Sequence, residues 1–187
     1  MIIESVAACG LCVGVGSFSD PPEFQGLAHL LEHMVFMGSE KFPRENEFDA
    51  FLNKHGGETN ASTDSEATTF YFDCQYQYLF RALERFAQFF ISPLIKRNAL
   101  SRELEALDSE FQSVLQSDSC RRQQLFSQCA RPHHPATQFL WGNIQVSWAS
   151  CSVLLSLISE QFHDFGSVLG EKLKIFSSFT DCWVFSR

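Results

Sequence analysis

The sequence lacks several features that would place a chain in a specialised class. No apolar run approaches the ~20 residues that a membrane-spanning helix needs, and the longest candidate, residues 153–158, is much shorter. No block of basic residues occurs, and 14 Lys and Arg stand against 22 Asp and Glu for a net charge of −8. This balance argues against nucleic acid or an anionic membrane as the main partner and favours cationic substrates.

The sequence also lacks the cysteine spacing of a disulfide framework. Its seven cysteines are an odd number scattered along the chain, and no basic-then-apolar leader precedes them. Such cysteines are typical of reduced thiols. We therefore predict a cytoplasmic location. The absence of an internal repeat disfavours solenoids and propellers.

What is present indicates an α+β fold. The apolar stretch over residues 7–16 is typical of a strand buried on both faces, and the aromatic and β-branched residues at 68–72 predict a second strand. The composition of residues 60–64 indicates a turn. Helical periodicity predicts helices over about 26–38, 46–54, 79–90 and 99–115.

The character of the sequence changes after about residue 146. Residues 147–187 hold nine serines and two of the three tryptophans. We therefore divide the chain into a domain over 1–146 and a divergent, serine-rich segment over 147–187, to which no role is assigned. Residues 153–158 are compatible with a short helix.

His29, Glu32 and His33 carry the clearest chemical signal. On a helix the two histidines are four residues apart, so both imidazoles leave one face and can ligate one zinc ion. Glu32 lies at the edge of this face, where its carboxylate can take a proton from a water that zinc has acidified. The His-x-x-Glu-His motif arises by chance in roughly one of 70 chains of this composition, which makes it a moderate signal. The alternative is a pair of structural histidines.

A third protein ligand is expected on the helix predicted over 99–115. Glu103 and Glu110 are seven residues apart and share one helix face. Either can complete a site of two histidines and one glutamate. The other can then accept a hydrogen bond from a ligand imidazole. Helical spacing does not rank the two.

A longer pattern surrounds these residues. It comprises the segments 16–21, 26–38, 54–64, 82–90, 102–110, 131–135 and 139–143. Over about residues 7–145 the chain resembles the N-terminal catalytic domain of the pitrilysin family of inverted zinc metalloendopeptidases. The resemblance implies a partial domain of the pitrilysin type, with helices packed on a mixed sheet.

The resemblance implies a role for each residue of the metal site. The family ligates zinc through the two histidines and a glutamate that follows after 76 residues, and 76 residues lie between His33 and Glu110. By this resemblance His29, His33 and Glu110 are the zinc ligands and Glu32 is the catalytic base. Glu103 corresponds to a glutamate that supports the site without binding the metal.

The resemblance also implies how substrate binds. Asn60 and Ala61 match an exposed strand edge that pairs with the backbone of an extended peptide. The implied function is a zinc metalloendopeptidase, and the members with the nearest pattern at 54–64 and 141–143 prefer peptides with paired basic residues. Family members are much longer and carry further substrate-binding domains in the same chain. The alternative is therefore a truncated, catalytically silent fragment that acts as a binding module or has no function.

Overall fold

The computed structural model describes residues 5–143. The predicted boundary at residue 146, the segment 147–187 and the short helix at 153–158 lie outside this range. The described elements are the strands β1 (Val6–Val13), β2 (Thr59–Thr63) and β3 (Thr68–Gln75) and the helices α1 (Leu27–Val35), α2 (Glu47–Lys54), α3 (Leu79–Ile91), α4 (Arg97–Val114) and α5 (Asp118–Ser127). The α+β class is confirmed. None of these helices is long and apolar enough to cross a membrane.

The three described strands form an antiparallel sheet in the order β1-β3-β2. The resemblance implied a mixed sheet, but both strand pairs within the described residues are antiparallel. β3 is central, and its alternate residues are buried against the helices because aromatic side chains occupy that face. β1 was predicted to be buried on both faces, and this is wrong. Its alternate residues, Val6, Ala8, Gly10 and Cys12, are exposed. Among the described strands β1 pairs only with β3, and helices cover one face of the sheet.

β2 is the second departure from the sequence expectation. Residues 60–64 have the composition of a turn, yet Thr59–Thr63 pair with Thr68–Phe72 of β3. Backbone pairing with a strongly strand-forming neighbour outweighs the weak strand propensity of Asn60 and Ser62. The result agrees with the strand edge implied by the family resemblance.

The side chains form two hydrophobic clusters. The first fills the space between the sheet, α2 and α3 and is mainly aromatic, with Phe48, Phe70, Phe72, Phe86, Phe89 and Phe90. The second joins α1 to α4 and is aliphatic, with Leu27, Leu30, Met34, Leu100, Leu104 and Leu107. The predicted apolar stripes of α3 and α4 supply many of these residues. The helix α5 was not predicted from the sequence, and it has no buried residue.

Candidate metal centre

α1 presents the histidine motif, and a buried aspartate holds its first turn. The carboxylate of Asp20 accepts hydrogen bonds from the backbone N–H groups of Gly26 and Ala28, at 2.8 and 2.9 Å. These N–H groups at a helix start have no partner within the helix. One face of α1 packs on α4 through leucine and methionine side chains. The side chains of His29 and His33 are partly buried, 12% and 22% exposed.

His29, His33 and Glu110 converge where α1 meets α4. The Nε2 atom of His29 lies 3.6 Å from Oε2 of Glu110, and Nε2 of His33 lies 3.5 Å from the same oxygen. One ligand atom from each residue lies within 4.8 Å of the other two. Among the described residues, this group of side chains could hold a metal ion.

The other ring nitrogens of both histidines have partners of their own. Nδ1 of His29 lies 2.8 Å from the carbonyl oxygen of Trp141, and Nδ1 of His33 lies 3.3 Å from Oε2 of Glu103. A carbonyl or a carboxylate can only accept, so each Nδ1 is the donor. In the neutral imidazole the Nε2 lone pair is then available toward Glu110. Glu103 therefore contacts the Nδ1 side of His33, whereas Glu110 faces the Nε2 atoms of both histidines. Helical spacing alone could not distinguish these two roles.

The electrostatic surroundings of His33 favour a positive charge. Burial by itself lowers the pKa of His33, but the hydrogen bond with Glu103 and the negative charges of Glu103, Glu32 and Glu110 outweigh burial and raise this pKa above its usual value. The same carboxylates would also stabilise a cation bound between these residues.

Glu32 lies beside these residues and is anchored to the sheet. Its side chain is largely buried, and the residue is 9% exposed. The Thr63 hydroxyl donates to Oε2 of Glu32 at 2.5 Å. The Thr63 hydroxyl lies 3.4 Å from that of Thr68, which donates to the Val15 carbonyl at 2.9 Å. Thr63 was not predicted as a site residue, because its only signal in the sequence is its place within residues 54–64.

All seven predicted site residues line one cleft of about 490 Å³. The histidines and glutamates come from α1 and α4, and Asn60 and Ala61 come from β2. The Ala61 N–H donates to the side-chain oxygen of Asn60 at 2.8 Å. Within the described sheet the opposite edge of β2 has no strand neighbour.

The family model for insulinase (Peptidase family M16) matches residues 3–137. The chain belongs to the insulinase family. This confirms the resemblance inferred from the sequence. Homologues of this family are peptidases.

Several relatives of this insulinase-family chain are close in sequence. Nardilysin of Homo sapiens is 59% identical over 142 residues, which are 76% of this chain and 12% of nardilysin. The nardilysin-like protein of Arabidopsis thaliana is 54% identical over 137 residues, 73% of this chain and 13% of that protein. The A-factor-processing enzyme of Saccharomyces cerevisiae is 45% identical over 139 residues, which are 74% of this chain and 14% of that enzyme. The chain therefore spans a small part of the length of these relatives.

A solved structure confirms the fold. The crystal structure of pitrilysin matches 84% of this chain and 17% of its own chain, with a TM-score of 0.77 and 32% sequence identity. The pitrilysin-type α+β fold expected from the sequence is thus present as a partial domain.

Proposed function

We propose that this chain is a zinc-dependent endopeptidase domain in which His29, His33 and Glu110 hold the metal and Glu32 is the general base. The observation that carries the proposal is the convergence of three ligand atoms within 4.8 Å, with the Glu32 carboxylate beside them. Membership of the insulinase family supports peptide hydrolysis as the reaction.

The residues fit zinc by their chemistry. Two imidazoles and one carboxylate form a ligand set used by catalytic zinc sites, in which the fourth position takes water or substrate. The hydrogen bonds at both Nδ1 atoms direct both Nε2 atoms toward the site. When bound, zinc acidifies a water molecule and polarises a carbonyl group.

Glu32 performs the proton transfers in this proposal. The Thr63 hydroxyl holds Oε2 of Glu32, and Oε1 is left to accept the proton of the attacking water. The protonated carboxyl group then gives this proton to the amine that leaves as the peptide bond breaks. Burial of Glu32 on α1 restricts its side chain and keeps the carboxylate close to the reacting groups.

The open edge of β2 provides the place for an extended peptide. A substrate strand beside Asn60 and Ala61 would run along the cleft and pair with the backbone of β2. The carboxylates of Asp49 and Glu103 also line the cleft, and the net charge of the chain is −8. Both features support peptides with paired basic residues as substrates.

A second candidate is a zinc-holding binding module without turnover. The observation that favours it is that all three proposed ligands come from α1 and α4, so metal binding does not depend on the proposed substrate edge at β2. The metal site itself needs only α1 and α4.

Metal analysis and one matched pair of proteins test the proposal. We expect one zinc per purified chain at neutral pH, and a result of no zinc would show that the metal site is wrong.

With a fluorogenic dibasic peptide, we expect cleavage that a chelator stops and that Glu32→Gln lowers by at least ~100-fold, the usual order for loss of a general base. Glu105→Gln, on an exposed position of α4, is the control and should retain activity. A zinc-loaded wild type no faster than Glu32→Gln would favour the binding module.

A further inference from the structure

The segment 139–142 returns to the start of α1 through a contact between two glycines. Gly26 and Gly142 both have positive φ, 86° and 73°. A Cβ atom on Gly26 would lie 2.2 Å from Cα of Gly142, and one on Gly142 would lie 3.2 Å from Cα of Gly26. A side chain at either position is therefore strained by both conformation and space.

This contact places the Trp141 carbonyl beside His29 of the proposed metal site. Its oxygen lies 2.8 Å from Nδ1 of His29, across 112 residues of sequence. The Trp141 ring also stands edge-on to the His29 ring, with centroids 6.0 Å apart and planes at 77°. Trp141 thus restrains His29 in two ways. Its carbonyl accepts the proton on Nδ1, and its ring packs against the imidazole.

The same segment also touches α4, the helix that carries Glu110. The ring of Phe139 packs against that of Phe111 at 5.0 Å. The Phe139 N–H donates to Oε1 of Gln25 at 2.6 Å, just before α1. The segment therefore joins the approach to α1 with α4, and these two helices supply all three proposed ligands.

We infer that residues 139–142 form a backbone clip that positions His29 for metal binding, with Trp141 and Gly142 as its positioning residues. The inference rests on the proposed metal site. The carbonyl of Trp141 keeps the proton of neutral His29 on Nδ1, so the Nε2 lone pair faces Glu110. Without this acceptor the ring is free to place its proton on Nε2, in a form that cannot ligate the metal through Nε2.

Gly142→Ala tests the clip through zinc affinity rather than turnover. We expect the variant to bind zinc 10- to 100-fold more weakly in competition with a chromophoric chelator, about the usual effect of losing an outer partner of a ligand histidine. Gly14→Ala is the matched control, because a Cβ atom at Gly14 meets nothing within 4 Å. Its zinc affinity should equal that of wild type.

Gln25→Ala provides a milder variant in case Gly142→Ala does not fold. It removes the acceptor of the Phe139 N–H and leaves both glycines in place, so we expect a smaller loss of zinc affinity in the same direction. Circular dichroism of the metal-free proteins verifies folding. A folded Gly142→Ala or Gln25→Ala protein with wild-type zinc affinity would overturn the clip.

The tautomer of His29 is a second readout that does not depend on zinc. Long-range proton–nitrogen NMR of the metal-free wild type should show His29 with its proton on Nδ1, and folded Gly142→Ala should show a mixture of tautomers. A wild-type His29 protonated on Nε2 would contradict the clip. A wild type that binds no zinc, but shows the Nδ1 tautomer, would instead contradict the proposed metal site, and only the control of the His29 tautomer by residues 139–142 would remain supported.

Discussion

Asp20 is a buried carboxylate that holds the first turn of the metal-binding helix. The residue is 6% exposed. Burial raises its pKa from 3.8 to about 6, against the opposing effect of the hydrogen bonds from Ala28 and Gly26. The folded protein therefore retains a proton on Asp20 at a pH where the unfolded chain has already lost it.

We expect Asp20→Asn to become more stable relative to wild type as the pH rises from about 4 to about 6. The stabilising effect of the protonated Asp20 is fully present below pH 3.8 and is lost as the pH rises through the folded-state pKa of about 6. A difference of this size between the two pKa values corresponds to on the order of 3 kcal/mol in the free energy of unfolding. The asparagine side chain of the variant does not titrate, so the pH-dependent difference between the two proteins isolates this group.

Urea unfolding of both metal-free proteins, with chelator, at pH 4, 5, 6 and 7 measures this difference. The Asn substitution also changes the hydrogen bonds to α1, but that contribution is a constant offset. A difference between the proteins that stays flat across the pH series, or reverses, would show that the pKa of Asp20 is not raised.

Some residues of the site could be predicted from the sequence, and others could not. The spacing of His29, Glu32 and His33 on one helix face could be read directly, because it depends only on local geometry. The roles of Thr63 and Trp141 depend on chain segments that are distant in sequence and adjacent in space. The carbonyl of Trp141 also belongs to the backbone, so no residue type signals it.

At the scale of elements, periodicity predicted the helices better than composition predicted the strands. The helices α3 and α4 were expected at 79–90 and 99–115 and lie at Leu79–Ile91 and Arg97–Val114. Both have an apolar stripe that tertiary packing preserves. β2 owes its conformation to β3. α5 lacks an apolar face, and the Ser117 N-cap with Asp118 in the first turn is a weaker signal than periodicity.

The contrast between α4 and α5 predicts very different costs for the same substitution. Leu104 on α4 is 1% exposed and Leu125 on α5 is 67% exposed. We expect Leu104→Ala to lower the free energy of unfolding by about 2–5 kcal/mol, because it leaves a cavity between α1 and α4. Leu125→Ala should change it by less than ~0.5 kcal/mol.

Chemical denaturation of the two leucine variants measures both values on the same chain. Leu104→Ala should also weaken zinc binding, because the packing that it disturbs sets the separation of His33 and Glu110. Equal destabilisation by the two substitutions would mean that α5 packs against another part of the protein in solution.

At the scale of the whole molecule, the site lies between the two hydrophobic clusters. α1 contributes Val35 to the aromatic cluster and Met34 to the aliphatic one. The proposed ligands come from α1 and α4, while Thr63 ties Glu32 to β2. A metal ion in this position would add a second link between α1 and α4, which the aliphatic cluster already joins.

Zinc should therefore stabilise the folded chain as a whole, and Glu110 should be needed for most of this effect. Binding only to the folded state, at free zinc of about 100 times the dissociation constant, adds ~2.7 kcal/mol, which raises Tm by on the order of 10 °C in a domain of this size. Glu110→Gln should lose most of the rise, because Gln is a poor ligand and α4 is then no longer joined to α1 through the metal. Glu105→Gln lies on an exposed position of the same helix and should keep it. Thermal unfolding by calorimetry, with and without chelator, compares the three proteins. An undiminished rise in Glu110→Gln would exclude Glu110 as a ligand and require another third ligand, for which Glu103 of the same helix is the alternative.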